Sequence, residues 1–115
     1  MEKRTSPYSP IIVQGNMAYV SGQLPVLPDG SIPEGMAAQT KACLDNMAKQ
    51  LETKGFCMED VVKTTVFITD LDRFAEMNEE YICHFKGQAP ARSACEVKRL
   101  VRGALVEIEC IAMQK

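Results

Sequence analysis

Two short alternating segments near the end of the chain constrain its fold more than any other feature. In Leu105-Val106-Glu107-Ile108-Glu109-Cys110-Ile111-Ala112, a period of two puts Val106, Ile108, Cys110 and Ala112 on one face and Glu107 and Glu109 on the other. In Pro90-Ala91-Arg92-Ser93-Ala94-Cys95-Glu96-Val97, Arg92 and Glu96 share one face and Ser93, Cys95 and Val97 the opposite one. If both strands lie in one sheet, a guanidinium and two carboxylates are expected to converge on a single surface. An Arg beside a Glu can hold a small carboxylate next to a polarised water. A solvated sheet face with ordinary charges explains the same residues, and composition alone favours it.

The segments upstream supply the other layers. Ile11-Ile12-Val13-Gln14 and Met17-Ala18-Tyr19-Val20-Ser21 flank Gly15-Asn16, two residues that tolerate the positive φ of a hairpin turn. Gly22-Gln23-Leu24-Pro25-Val26-Leu27-Pro28-Asp29-Gly30 is rich in turn formers and reads as a loop. Its length raises its chance of a functional role. From Met36 to Lys54 the pattern is helical, with Thr40, Cys43, Leu44, Met47 and Leu51 on one stripe and Gly55 as the stop. The β-branched run Val61–Thr69 reads as a buried strand. Asp70 can cap a second helix carrying Phe74, Met77, Tyr81 and Phe85 at helical spacing, and Pro90 ends any continuation of it.

The expected order is β-β-α-β-α-β-β in one domain of 115 residues, with both helices on a single face of a mixed sheet. The opposite face is then expected to carry Arg92, Glu96, Glu107 and Glu109 among apolar residues. Such a face is too mixed for water and too charged for a core, and a subunit interface with pockets resolves the conflict.

Bulk properties narrow the function. A net charge of −2 gives no broad field for nucleic acid or an anionic membrane, and Lys98-Arg99-Leu100-Val101-Arg102 reads first as a solvated connection. The five cysteines form no CxxC and no paired framework, which fits reduced, mostly buried thiols. The N-terminus has no apolar signal core and no run approaches the ~18–20 residues of a membrane span, so a cytoplasmic location is expected. The one histidine, His84, sits in the expected second helix beside Cys83, where neighbours point about 100° apart. His84 is taken as a surface residue and Cys83 as a packing thiol. One His and scattered Cys make no convincing zinc site, and neither GxGxxG nor GxxxxGK[ST] occurs. Chemistry with Arg, Glu, hydroxyls and backbone amides remains.

At this point the chain resembles the reactive intermediate deaminase family, also called the YjgF or RidA type. The resemblance is carried by Pro7-Tyr8-Ser9-Pro10, Ser21-Gly22-Gln23-Leu24-Pro25, Asp60-Val61-Val62-Lys63-Thr64-Thr65-Val66-Phe67, Phe74-Ala75-Glu76-Met77-Asn78, Pro90-Ala91-Arg92-Ser93 and Gly103-Ala104-Leu105-Val106-Glu107-Ile108-Glu109. It implies a chorismate-mutase-like α+β subunit in a homotrimer with three inter-subunit clefts. The implied activity is hydrolysis of reactive enamines and imines, of the 2-aminoacrylate and 2-aminocrotonate type, to 2-keto acids and ammonia without metal or organic cofactor. By position, Arg92 corresponds to the arginine that grips the substrate carboxylate, and Glu107 to the glutamate that orients water towards the C=N carbon. Tyr8, Ser21, Gly22 and Asn78 fall where the family lines its cleft. A salt bridge between Arg92 and Glu107 or Glu109, a packing role for Tyr8, a strand end at Ser21-Gly22 and a backbone bond from Asn78 are the plainer alternatives.

One departure stands out. Many members carry Cys two residues after the arginine, whereas here that position is Ala94 and Cys95 follows. A one-residue shift changes face, so Cys95 is expected to point towards the helices while the backbone amide of Ala94 still binds a carboxylate. Two other functions compete: a keto-acid-binding regulatory module without turnover, and an endoribonuclease or translation inhibitor. The latter wants a basic groove and usually a histidine base, so nucleic acid is an unlikely partner.

Overall fold

Gly15 takes φ +57° and Gly55 takes φ +79°, and these two positions set the first turn and the end of the first helix. The computed structural model describes residues 6–115. The Gly15-Asn16 turn joins β1 (Ile11–Gln14) to β2 (Met17–Gln23), which pair antiparallel as the alternation predicts. Helix α1 spans Met36–Glu52, and the left-handed Gly55 lets the Phe56 amide return to the Leu51 carbonyl at 3.0 Å. Strand β3 is Val61–Ile68 and helix α2 is Phe74–Ile82. The Asp70 carboxylate accepts from the Asp72 amide at 3.0 Å, so it caps the short 3₁₀ turn Leu71–Arg73 that leads into α2 rather than α2 itself. Phe85 therefore lies past the helix end, its ring 4.8 Å from that of Tyr81.

Strands β4 (Ala91–Glu96) and β5 (Val106–Met113) complete a five-stranded sheet in the order β1-β2-β5-β3-β4. It is mixed, because β3 and β4 run parallel while every other pair is antiparallel. Both helices cover one face. Val106, Ile108, Cys110 and Ala112 of β5 meet Cys43, Leu44, Met47 and Leu51 of α1 and Met77 and Tyr81 of α2 in one core. Leu44 is wholly buried, so Leu44→Ala should cost about 2–5 kcal/mol, read as a lower denaturation midpoint at unchanged slope.

The sheet's open face carries Tyr19 and Met113, each 42% exposed, near Thr65, Phe67, Glu107, Glu109 and Ile111. This is the mixed face that the sequence leads one to expect, with one change. Arg92 pairs with Thr64, and Thr64 pairs with Cys110, both of which are buried on the helix side. Arg92 and Glu96 therefore belong to the helix side of β4, not to the face of Glu107 and Glu109. The Glu96 carboxylate confirms this by accepting from the Leu71 amide at 2.9 Å. Cys95, level with Phe67 and Glu107, takes the open face instead of facing the helices.

Thiols and histidine also depart from expectation. Only Cys43 and Cys110 are buried, and burial pushes the Cys110 thiol up to about 12; Cys57, Cys83 and Cys95 are exposed. His84 follows α2 and is only 15% exposed, with Nε2 2.7 Å from Glu80 Oε2 and Nδ1 3.9 Å from Asp45 Oδ1. It ties the end of α2 to α1 and is no free surface residue. No helix of the described residues is long and apolar enough to cross a membrane.

Candidate active site

Two groups of residues form, on opposite faces of the sheet. The first is built on a bulge. Between the pairs Val20–Cys110 and Gln23–Ile108, β2 advances three residues while β5 advances two, so Ser21-Gly22 carry one extra residue. The bulge brings the Gly22 backbone against the Glu107 side chain. A Cβ on Gly22 would stand 2.9 Å from Glu107 Cδ and closer still to its Oε2. Only glycine leaves room for the carboxylate there.

Ser21 anchors the N-terminal segment to the same place. Its hydroxyl donates to the Ser9 carbonyl at 2.6 Å, and its amide donates to the Pro10 carbonyl at 3.0 Å. Tyr8, 62% exposed, is thereby held one residue from Ser21's partner with its ring free. A shallow hollow of about 280 Å³ beside this group is lined by Ser9, Tyr19, Ser21 and Glu109 among others. Burial pushes the Glu107 carboxyl above the usual glutamate range, and the neighbouring charge of Glu109 adds to the shift. A carboxylate so raised is a better proton acceptor than an ordinary surface glutamate.

The second group surrounds Arg92. One Nη donates to Asn78 Oδ1 at 2.7 Å. The guanidinium carbon lies 4.9 Å from the centre of the Tyr81 ring and 5.2 Å from that of Phe74. Tyr81 is itself fixed, its hydroxyl 2.7 Å from Thr64 Oγ1 in the core. Burial pushes the Tyr81 phenol up, with Thr64 and the Arg92 charge pulling the other way. Phe74, Asn78 and Tyr81 recur at four and three residues on α2, so one helical stripe contacts the arginine. From the sequence Phe74 and Tyr81 read only as apolar positions at helical spacing, and their spacing around Asn78 is the signal for this contact. Ala94, two residues beyond Arg92 on the same side of β4, is exposed and offers a small side chain and a backbone amide at the sheet edge.

Among the described residues no carboxylate pairs with Arg92, so the ion pair with Glu107 or Glu109 does not form within one chain. Among the described residues its cation is held by neutral groups, Asn78, Tyr81 and Phe74. A wider depression of about 930 Å³ lies at the other end of β5, around Lys86, Pro90, Met113 and Gln114, and includes neither Arg92 nor Glu107. The wider of these two hollows thus does not coincide with the candidate residues, and the shallower one borders only the Ser21 group.

A five-stranded mixed sheet backed by two helices, with Arg92 and a raised Glu107 carboxyl on different faces, defines a small α+β protein whose candidate site residues are divided between two surfaces. The family model described as Endoribonuclease L-PSP matches residues 2–114, and the chain belongs to that family, the YjgF/RidA family. A RutC family protein of Pyrococcus abyssi is 44% identical over 115 residues, covering 98% of this chain and 91% of that protein. A 2-iminobutanoate/2-iminopropanoate deaminase of Escherichia coli K12 is 42% identical over 113 residues, covering 95% and 88%. The crystal structure of the E. coli YjgF gene product superimposes with a TM-score of 0.91 at 41% identity, covering 97% of this chain and 91% of that one. E. coli TdcF with bound serine gives 0.91 at 37% identity, covering 97% and 92%.

Proposed function

We propose that this protein is a cofactor-independent deaminase that hydrolyses 2-imino acids and their enamine tautomers to 2-keto acids and ammonia, in the cytoplasm, as a homotrimer. The observation that carries this reading is the Arg92 guanidinium, stacked on two rings and bonded to an amide, with no carboxylate partner among the described residues. Its remaining N–H groups form the planar fork that suits a carboxylate. The deaminase relatives, at about the same identity along nearly the full chain, support the same substrate class.

The chemistry follows from the two groups. Arg92 and the Ala94 amide hold the substrate carboxylate, with Tyr8, Ser21, Gly22 and Asn78 around it. Glu107 takes a proton from water as the water oxygen bonds to the C=N carbon, and the π pair moves to nitrogen. Returning that proton to nitrogen gives a carbinolamine. Transfer of its hydroxyl proton to nitrogen through the same carboxylate lets the C–N bond break as C=O forms, releasing ammonia and leaving the keto acid.

One chain cannot complete this site. Glu107 lies on β5, Arg92 on β4, with β3 between them and the sheet itself dividing their side chains. Two strand spacings are about 9–10 Å before the sheet is crossed, beyond the reach of a four-carbon acid. A second copy must bring its own Arg92 to the Glu107 side, and the exposed apolar residues of the open face suit such an assembly.

The test couples the purified protein to a threonine dehydratase and follows ammonia release. Acceleration is expected, and keto-acid binding with no acceleration would favour a binding module instead. Because the base form of Glu107 is required, the rate should rise with pH through a value above the ordinary glutamate range. Glu109→Gln removes a charge that raises this carboxyl, so the acid limb should move to lower pH; an unmoved limb would assign it to another group.

A further inference from the structure

We propose that Tyr81 is a positioning residue that orients Arg92 towards its ligand through the face of its ring. Three elements meet at this point. Thr64 on β3 is wholly buried and pairs in register with Arg92 on β4, and its hydroxyl fixes the Tyr81 hydroxyl of α2 at 2.7 Å. Tyr81 is only 5% exposed, and the guanidinium carbon rests over its ring, 4.9 Å from the centre. The Phe74 ring, 5.2 Å from the same carbon, and the Asn78 amide oxygen complete the support.

The choice of neutral partners has a consequence. A carboxylate would orient an arginine more strongly, but it would also occupy the fork and cancel the charge that attracts an anion. A ring face attracts the cation without using an in-plane N–H. Asn78 takes one N–H, and among the described residues the guanidinium makes no other hydrogen bond. Stacking also removes rotamer freedom before a ligand arrives, which is where preorganisation adds affinity. Tyr81 need not touch the substrate for this.

The inference rests on the proposal that Arg92 grips a substrate carboxylate, and the test separates the two. The probe is 2-oxobutanoate, measured by calorimetry on the intact assembly, alongside steady-state imine hydrolysis. Tyr81→Leu keeps an apolar side chain but no π face, and should weaken 2-oxobutanoate binding about tenfold. The loss should appear in KM with kcat nearly unchanged, because a general loosening of the fold would lower kcat as well. Tyr81→Phe restores the face without the hydroxyl and should bind within about threefold of the original protein. Should Tyr81→Leu fail to fold, Phe74→Leu removes the second face and is expected to raise KM in the same direction.

Normal binding by a folded leucine variant at either ring, with Arg92→Ala defective, would overturn the positioning role alone. So would a phenylalanine variant as weak as Tyr81→Leu, which would point to the Thr64 bond rather than the ring. If Arg92→Ala binds 2-oxobutanoate normally, the carboxylate assignment falls and this inference with it.

Discussion

Arg92→Ala should lower kcat/KM for imine hydrolysis by about 10²- to 10³-fold, since two charge-assisted hydrogen bonds to a carboxylate are worth roughly 3–4 kcal/mol together. Arg92→Lys should recover little of this, because an ammonium cannot present two parallel donors or stack on Tyr81 and Phe74 in the same way. Stability should change far less. The arginine makes no ion pair among the described residues, and its loss uncovers one face each of two rings that remain packed. Coupled ammonia assays, calorimetry with 2-oxobutanoate and thermal unfolding of the same preparations give the three readouts. An alanine variant whose rate stays within about threefold of the original would remove the carboxylate anchor from the mechanism.

The sequence made the elements legible where their own residues decide them. The Gly15-Asn16 hairpin, the stripe from Thr40 to Leu51 and the alternation of Val106, Ile108, Cys110 and Ala112 are local patterns, and each element lies where its pattern puts it. The face taken by Arg92 is different in kind. Alternation says which residues of a strand share a face, but not which face of the sheet they take. For β5 the apolar set settles the matter, because only the helix side can bury it. Strand β4 has no such set: only Arg92 is even partly covered, and the rest of the strand is exposed. Its orientation comes from parallel register with β3, where Thr64 meets Arg92 and Phe67 meets Cys95. That is a tertiary fact with no local signature. The aromatic support of Arg92 was hidden for a related reason. Tyr81 and Phe74 satisfy the helix's apolar stripe, and the same rings that pack in or against the core also lie under the guanidinium. Gly22 reads from the sequence as a strand end or the start of a loop, and only the fold shows that the Glu107 carboxylate occupies the space its side chain would fill.

The opposed faces of Arg92 and Glu107 lead to the largest expected effect. Arg92→Ala and Glu107→Gln should each be nearly inactive alone, yet regain activity when co-assembled. A cleft in the proposed trimer draws its arginine from one copy and its glutamate from the next. In a random equal mixture, a given cleft receives intact Arg92 from a Glu107→Gln chain with probability one half, and intact Glu107 from an Arg92→Ala chain with probability one half. Their product is about one quarter of the original sites, a large recovery from a background of a few per cent or less. Mixing must include dissociation and reassembly, for example by co-expression with two tags, so that mixed assemblies form. Mixing without exchange should give nothing, which controls for revertants or contaminating enzyme. Light scattering on the same samples would establish whether the assembly is trimeric. If co-assembled variants stay inactive, either both groups act from one chain or they serve different molecules, and the divided site would have to be abandoned.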